Sequence, residues 1–341
     1  MSTPKHNVLI AGIAGASLGT ELAKCLKLTE NYKVFGCDIS KLAYGHFADE
    51  FDQTYTVNIE SYIQDIVDIC LENKINYIVP GGEKPTFLLS KAVNILKENN
   101  ITFLGNNAEL VAVLGDKKKT FELLKELGFE IPLTKEIKIE SDLDEFTFPC
   151  IVKPATGTGG SESVFIAGNK KECLNYLNFL KIGGRTIIVQ EYIPLTEGEF
   201  TIGILSLPNK KTISCVCMKR IFNSKLSIAQ QNKHGLISSG YSQGLIENNP
   251  KLEKQAIKIA EYLQSQGPLN IQARVRNGNL IPFEINPRFS ASTYLRAIAG
   301  VNEVEFLLDY LTNGTTKIKY SLIEGNYMRS FTESFIPKNY L

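Results

Sequence analysis

Four short apolar runs punctuate the first third of the chain, at residues 8–13 (VLIAGI), 33–38 (KVFGCD), 76–81 (NYIVPG) and 101–105 (ITFLG). Between them apolar residues recur at helical spacing. Leu18, Leu22 and Leu26 share one face of residues 17–28, and residues 84–100 read as a second helix. Strands alternating with helices predict a parallel sheet covered on both faces. Ligands of such sheets sit at the carboxyl ends of the strands, where Gly12, Gly15, Gly81 and Glu83 fall. A helix over 116–128 is stopped by Gly128, with Pro132 close behind. Beyond it the pattern changes to strands at hairpin-like spacing over 148–155, 186–193, 199–206 and 212–220. An amphipathic helix over 252–266 precedes two strands, 269–275 and 279–285, around Asn277-Gly278, and a last helix over 302–314 ends at Gly314. The expected fold class is α/β, a parallel-sheet domain followed by α+β domains.

The length of 341 residues allows two or three domains, and 43% hydrophobic with 21% charged residues is ordinary for a soluble chain. Lys+Arg and Asp+Glu number 37 and 36, so the net charge of +1 supplies no footprint for nucleic acid or anionic membrane. Seven scattered cysteines point to free thiols in a reducing compartment, and Cys215-x-Cys217 lacks a partner pair at zinc spacing. With neither a signal peptide's apolar core nor about 18 uninterrupted apolar residues, the expected location is cytoplasmic.

Two glycine-rich loops follow strands. In the first, Gly12, Gly15 and Gly19 open a helix, and Asp38 ends the next strand as a ribose-binding acid would. The spacing is not G-x-G-x-x-G, so a small anionic substrate at this helix N-terminus is expected ahead of a nicotinamide dinucleotide. The second loop, 152–161 (VKPATGTGGS), sets Lys153 ahead of its glycines. That order is not a P-loop, but it offers a point charge and backbone N–H groups to phosphates.

The strongest cluster is Gln272 with Glu284-Ile285-Asn286-Pro287-Arg288. Glu284 and Asn286 point to one side of a strand. A three-residue loop over 277–279 pairs Arg276 with Leu280 and Gln272 with Glu284. It also collects Ile271, Ala273, Val275, Ile281, Phe283 and Ile285 on one apolar face. A two-residue Asn-Gly loop would set Ile271 opposite Glu284, so the three-residue loop, with a bulge near Gly278, is the expectation. Gln272, Glu284 and Asn286 then form an oxygen set suited to Mg²⁺, with Arg288 placed to clamp a phosphoryl group.

In this order the motifs resemble the ATP-grasp superfamily, nearest the ATP-binding halves of the carbamoyl-phosphate synthase large subunit and small carboxylate–amine ligases. The resemblance runs from about residue 8 to residue 315. It implies a Rossmann-like pre-ATP-grasp substrate domain over 1–110 and, over 111–185, linker helices with a small ATP-grasp subdomain carrying the glycine flap. A C-terminal ATP-grasp subdomain with the metal site is implied over 186–341. Lys117 would reach the ATP phosphates, Lys153 would hold them and share catalysis with Arg288, and Gly157, Gly159 and Gly160 would form the flap. The backbone of Gln190, Glu191, Tyr192 and Ile193 would meet adenine, Glu199 the ribose hydroxyls, and Gln272, Glu284 and Asn286 the Mg²⁺, for which Mn²⁺ is a substitute. The flap departs from the pattern at Ser161-Glu162-Ser163, where relatives carry further glycine. One ATP module, with neither a second half nor an ammonia-supplying domain, argues against a complete carbamoyl-phosphate synthase.

The implied activity is an ATP-dependent ligase joining a carboxylate to an amine through an acylphosphate. The alternative is a carbamoyl-phosphate-synthase-like enzyme that phosphorylates a small carboxylate without forming an amide. A non-catalytic ATP module and a nicotinamide enzyme rank behind both, because Gln272, Glu284, Asn286 and Arg288 are intact and the second loop suits phosphates. Gly15, Glu83, Arg220 and His234 are the substrate-facing candidates, His6 and His46 reading as surface residues. Expected partners are a small-molecule carboxylate and an amine, with no nucleic acid and no membrane; a homodimer is compatible with the resemblance.

Overall fold

Val8, Leu9, Ile10 and Ala11 have no exposed surface, because their strand is the centre of a sheet covered on both sides. The computed structural model describes residues 6–14, 18–157, 161, 163–182, 184–223, 225–316 and 318–337. In its first sheet, strands β1 (His6–Ala11), β2 (Tyr32–Asp38), β3 (Gln53–Thr56), β4 (Tyr77–Pro80) and β5 (Thr102–Phe103) pair in parallel in the order β3-β2-β1-β4-β5. Helix α1 (Leu18–Lys27) covers Val8 and Ile10. Helices α2 (Tyr62–Glu72), α3 (Glu83–Lys91) and α4 (Val93–Glu98) cover Leu9, Ala11 and Ile78. The helix expected over 84–100 is thus two, parted at Ala92, whose ψ of 10° tightens the turn so that its N–H meets Leu89 O. β3 and α2 were not foreseen: β3 is a short polar edge strand, with no apolar run to announce it.

Helices α5 (Ala108–Leu114) and α6 (Lys117–Glu126) lead to a four-stranded antiparallel sheet. Its strands are β6 (Thr134–Glu136), β7 (Cys150–Pro154), β8 (Phe165–Ala167) and β9 (Ile187–Glu191), in the order β6-β9-β7-β8. Helix α7 (Lys170–Lys181) packs Cys173, Leu177 and Leu180 on it. Since β9 pairs with both β6 and β7, the boundary expected between 185 and 186 falls inside this sheet's chain, before its last strand rather than after it.

The largest sheet is built on β10 (Glu199–Ser206) and β11 (Thr212–Arg220). A separate hairpin, β12 (Ile228–Asn232) and β13 (Gly235–Ser238), stands beside it. β14 (Gly244–Ile246), β15 (Pro268–Arg276), β16 (Asn279–Asn286) and β17 (Gly325–Tyr327) complete the order β16-β15-β10-β11-β14-β17. Helix α8 (Pro250–Tyr262), capped by Asn249 with Pro250 in its first turn, buries Leu252, Ala256 and Ile259 against this sheet together with α5 and α6. Helices α9 (Thr293–Ile298) and α10 (Glu303–Asn313) share a core with α1, where Leu22 and Leu26 join Phe289, Val304 and Leu307. That shared core docks the carboxyl ends of the first sheet against the end of β16.

The segment after β17 returns to the same seam. Arg329 donates to Glu21 at 3.0 Å and to Ala291 O, Thr332 meets Tyr44 Oη at 2.8 Å, and Phe331 sets its ring against Tyr241. All seven cysteines are free and buried, and among the described residues no helix is long and apolar enough to cross a membrane.

Arg296 is the largest fully buried side chain. It forks onto Glu303 at 2.9 and 2.7 Å and donates to Ser290, Ser292 and Thr293. Removing one partner of a buried pair strands the other charge, so Arg296→Ala is expected to lower folding stability by about 3–5 kcal/mol, measured by denaturant unfolding.

Candidate active site

Asn277 and Gly278 both adopt left-handed φ, 54° and 70°, as a two-residue hairpin loop of primed type requires. Arg276 therefore pairs with Asn279 and Val275 with Leu280, not across the expected three-residue loop. The extra residue lies within the strand instead. Ala273 pairs with Pro282 and Gln272 with Glu284, leaving Phe283 bulged. A bulge beside a proline on an edge strand is physically apt, because proline has no N–H to give the ladder. The bulge restores Ile271 opposite Ile285, both buried, and Gln272 opposite Glu284. It also corrects the expected apolar face. Leu280, rather than Ile281 or Phe283, joins Ala273 and Val275 in the core beneath α8, while Ile281 is fully buried outside that cluster and Phe283 lines the cleft beside Glu284.

On the cleft side Asn286 Nδ2 donates to Glu284 Oε1 at 3.0 Å, with Gln272 directly across the ladder. Asn270 faces Asn286 and accepts from Thr201 Oγ1 at 2.8 Å. Asn270 was missed, although the polar alternation Asn270, Gln272, Arg274 along β15 was the signal that could have found it. Among the described residues no three His, Cys, Asp or Glu cluster as metal ligands. Glu284 is the lone carboxylate of an amide–carboxylate–amide set, a hard-oxygen arrangement that fits a cation keeping most of its other ligands from water or phosphate.

Lys153 ends β7 with only 5% of its surface exposed. Its Nζ donates to Gln190 Oε1 at 2.8 Å and to Phe283 O at 3.3 Å, and Gln190 is itself held by a bond to Thr134 Oγ1. Burial, and then the charge of Lys117, push its pKa down to about 7 against the pull of Glu284. Lys117 opens α6, where Asp116 caps the helix and Lys117 N–H donates to Ala155 O, tying the helix to the glycine loop. Gly157 has a φ of 75°; Gly15, Gly159 and Gly160 lie outside the described residues.

Residues of the linker strand make several long-range bonds. Glu191 holds Arg276 at 2.6 Å, Tyr192 Oη accepts from Leu236 N–H, and Ile193 O accepts from Arg274. Glu199 has no exposed surface. Arg274 Nε binds one of its oxygens at 2.9 Å and Arg220 Nη1 the other at 3.2 Å. Each oxygen keeps a further acceptor site, and Glu199 lines the small cavity beside Tyr192 and Ile193. Arg220 is also 5% exposed and donates to Ser239 O and Tyr241 O, so it anchors the 239–242 loop. His234 departs further from expectation. Its ring lies on Gly168, where a Cβ would sit 2.1 Å from it, and its Nε2 is 3.6 Å from Glu172, away from the cavities around Glu284. The dinucleotide reading also loses its acid: Asp38 accepts from Ile13 N–H and Ser40 N–H and pins the glycine turn.

Glu284 stands on the wall of three neighbouring cavities. One, of about 70 Å³, is lined by Lys153, Gln190, Tyr192, Ile193 and Phe283. A second, of about 490 Å³, is lined by Lys117, Phe121, Gly157, Asn286 and Arg288. A third, of about 320 Å³, reaches Gly82, Ser239, Asn270 and Ser290. Arg288 borders the last two and meets Glu83 of α3 at 3.1 Å, closing the seam between the first sheet and β16. Gly81 lets the ends of β1 and β4 approach at this edge of the first sheet, since a Cβ there would sit 1.9 Å from Gly12 O.

Comparison with known proteins agrees with this geometry. The carbamoyl phosphate synthase large chain of Clostridium beijerinckii is 27% identical over 270 residues, covering 74% of this chain and 24% of that protein. The chain thus spans about a quarter of such a relative's length. In fold it is similar to N5-carboxyaminoimidazole synthetase from Staphylococcus aureus complexed with ADP, with a TM-score of 0.67 and 15% identity over 94% of this chain and 81% of that one. It is also similar to the L-amino acid ligase from Bacillus licheniformis, with a TM-score of 0.63 and 16% identity over 91% and 74% of the two chains. The ATP-grasp domain model matches residues 114–292, just over half of the chain, and spans Lys117, Lys153 and the whole β15–β16 hairpin. The chain belongs to the ATP-grasp family.

Proposed function

We propose that the chain is an ATP-dependent ligase that joins a small carboxylate to an amine through an acylphosphate. The observation that carries this reading is Glu284 on the wall of all three cavities, with Lys117 and Lys153 on one side and Arg288 on the other. The 70 Å³ cavity at Tyr192 and Ile193 takes the adenine end of ATP, and the two lysines take its phosphates. Gln272, Glu284 and Asn286 hold Mg²⁺, or Mn²⁺ in its place, which neutralises triphosphate charge when bound. The acid's oxygen attacks the γ-phosphorus, the bond to the β-phosphate oxygen breaks, and ADP leaves. The amine then attacks the acyl carbon, and phosphate leaves as the C–N bond forms. Arg288, preorganised by Glu83, stabilises charge on the moving phosphoryl group. In this scheme the first-sheet domain and residues 239–242 enclose the acid. Similarity to the carbamoyl phosphate synthase large chain favours a second reading, in which the acylphosphate is released or passed on without amide formation. ADP release that requires an amine supports the ligase, and amine-independent ADP release supports the alternative.

Three outcomes test the assignment. Mg-ATP should raise the melting temperature and NAD should not, in a thermal-shift assay. Glu284→Gln and Arg288→Ala should each lower turnover by ~10²–10³ while far-ultraviolet circular dichroism stays native, with Arg288→Ala sparing ATP binding more than turnover. The third concerns pH. With its pKa held near 7, Lys153 loses its charge in the empty site as pH rises from 6 to 8. Phosphate favours the charged form, so ATP affinity should fall over that range and binding should take up a proton. Calorimetry in buffers of different ionisation enthalpy reads the proton, and Lys153→Met should bind ATP more weakly and without that pH dependence.

A further inference from the structure

Among the described residues, the 320 Å³ cavity between the first sheet and the 239–242 loop carries four charged side chains, Glu83, Glu284, Arg220 and Arg288. Two are already committed. Glu284 belongs to the proposed cation set, and Arg220 is filled by Glu199 and the carbonyls of Ser239 and Tyr241. What remains to face the acid before phosphoryl transfer is one acid and one base, Glu83 and Arg288, 3.1 Å apart, the arginine meeting the phosphoryl group only as it arrives on that acid. Glu83 is half exposed at the mouth, whereas Arg288 is largely buried and its Nε has no hydrogen-bond partner among the described residues. The other polar lining is uncharged, with Thr201, Ser239, Ser242, Asn270 and Ser290 among it.

Resting on the ligase reading, we infer that the acid accepted here is a small α-amino acid, its carboxylate on Arg288 and its ammonium on Glu83. A zwitterion replaces the Glu83–Arg288 contact with two contacts of the same kind, so each side chain keeps a counter-charge inside the cleft. A dicarboxylic acid would bring a second negative charge with no uncommitted cation among the described residues of this wall to meet it. An acid without an amino group would separate Arg288 from Glu83 and leave the glutamate's charge unmatched. The volume lies at the small end of ligand cavities, and the hydroxyls and amides suit a short or polar side chain. Arg288 thereby holds the reacting carboxylate beside Glu284 before phosphoryl transfer, and Glu83 is the residue that selects for the amino group.

The twenty free amino acids, their N-acetyl forms and their methyl esters are titrated calorimetrically into the whole protein, with and without Mg²⁺ and a non-hydrolysable ATP analogue. At least one free amino acid should bind, with acetylation and esterification each weakening it at least tenfold. Glu83→Gln should shrink the preference for free over acetylated amino acid at least tenfold. Binding of no free amino acid, equal binding of the acetylated form, or an unchanged preference in Glu83→Gln overturns the inference. ADP release separates this outcome from the ligase reading itself. Amino-acid binding with no ADP release under any amine would end the ligase reading and leave the zwitterion site standing. Amine-dependent ADP release supported only by acids lacking an amino group would do the reverse.

Discussion

Side chains on a strand alternate in direction, so one residue of slippage between β15 and β16 would turn Glu284 into the core. Two local rules pull the hairpin in different directions. Asn277-Gly278 supplies left-handed backbone at both positions and closes the tightest loop. The buried faces of the two strands, with Ile271 against Ile285, require a register that this loop alone does not produce. The bulged Phe283 reconciles them. Without it the amides and the carboxylate would not share a face, and Lys153 would lose the Phe283 carbonyl that holds its Nζ. The register of this one strand pair therefore determines where Gln272, Glu284 and Asn286, the buried Lys153 and the three cavities lie.

Around that hairpin the walls are held by charge rather than by apolar packing alone. Glu199 with Arg220 and Arg274, Arg296 with Glu303, and Arg329 with Glu21 are all buried pairs. Buried ion pairs add little net stability over apolar packing, but losing one partner is costly, so they enforce one arrangement of the elements they join. Here they join the linker strand to the 239–242 loop, β16's exit to α10, and the C-terminal segment to α1.

Much of this was legible in the residues. The apolar runs and Leu18, Leu22 and Leu26 located the parallel sheet, and the spacing of Gln272, Glu284, Asn286 and Arg288 located the cleft. Lys153 ahead of its glycines marked one wall of that cleft. These features are local, set by periodicity and by which side of a strand a residue occupies. Tertiary structure alone decided the rest. Whether Glu199 is an open acceptor depends on Arg220 and Arg274, which lie 21 and 75 residues away and leave no trace in local pattern. His234 looked substrate-facing from its loop, yet packing on Gly168 takes it to the other subdomain's edge. The polar strand β3 was invisible because an edge strand need not be apolar. The bulge at Phe283 was hidden because both candidate loops satisfied the turn residues, and only packing of Ile271, Leu280 and Ile285 in one core distinguishes them. Sequence determined which residues could do the chemistry; long-range packing determined which of them face the cleft, because burial of a side chain is a property of all its neighbours at once.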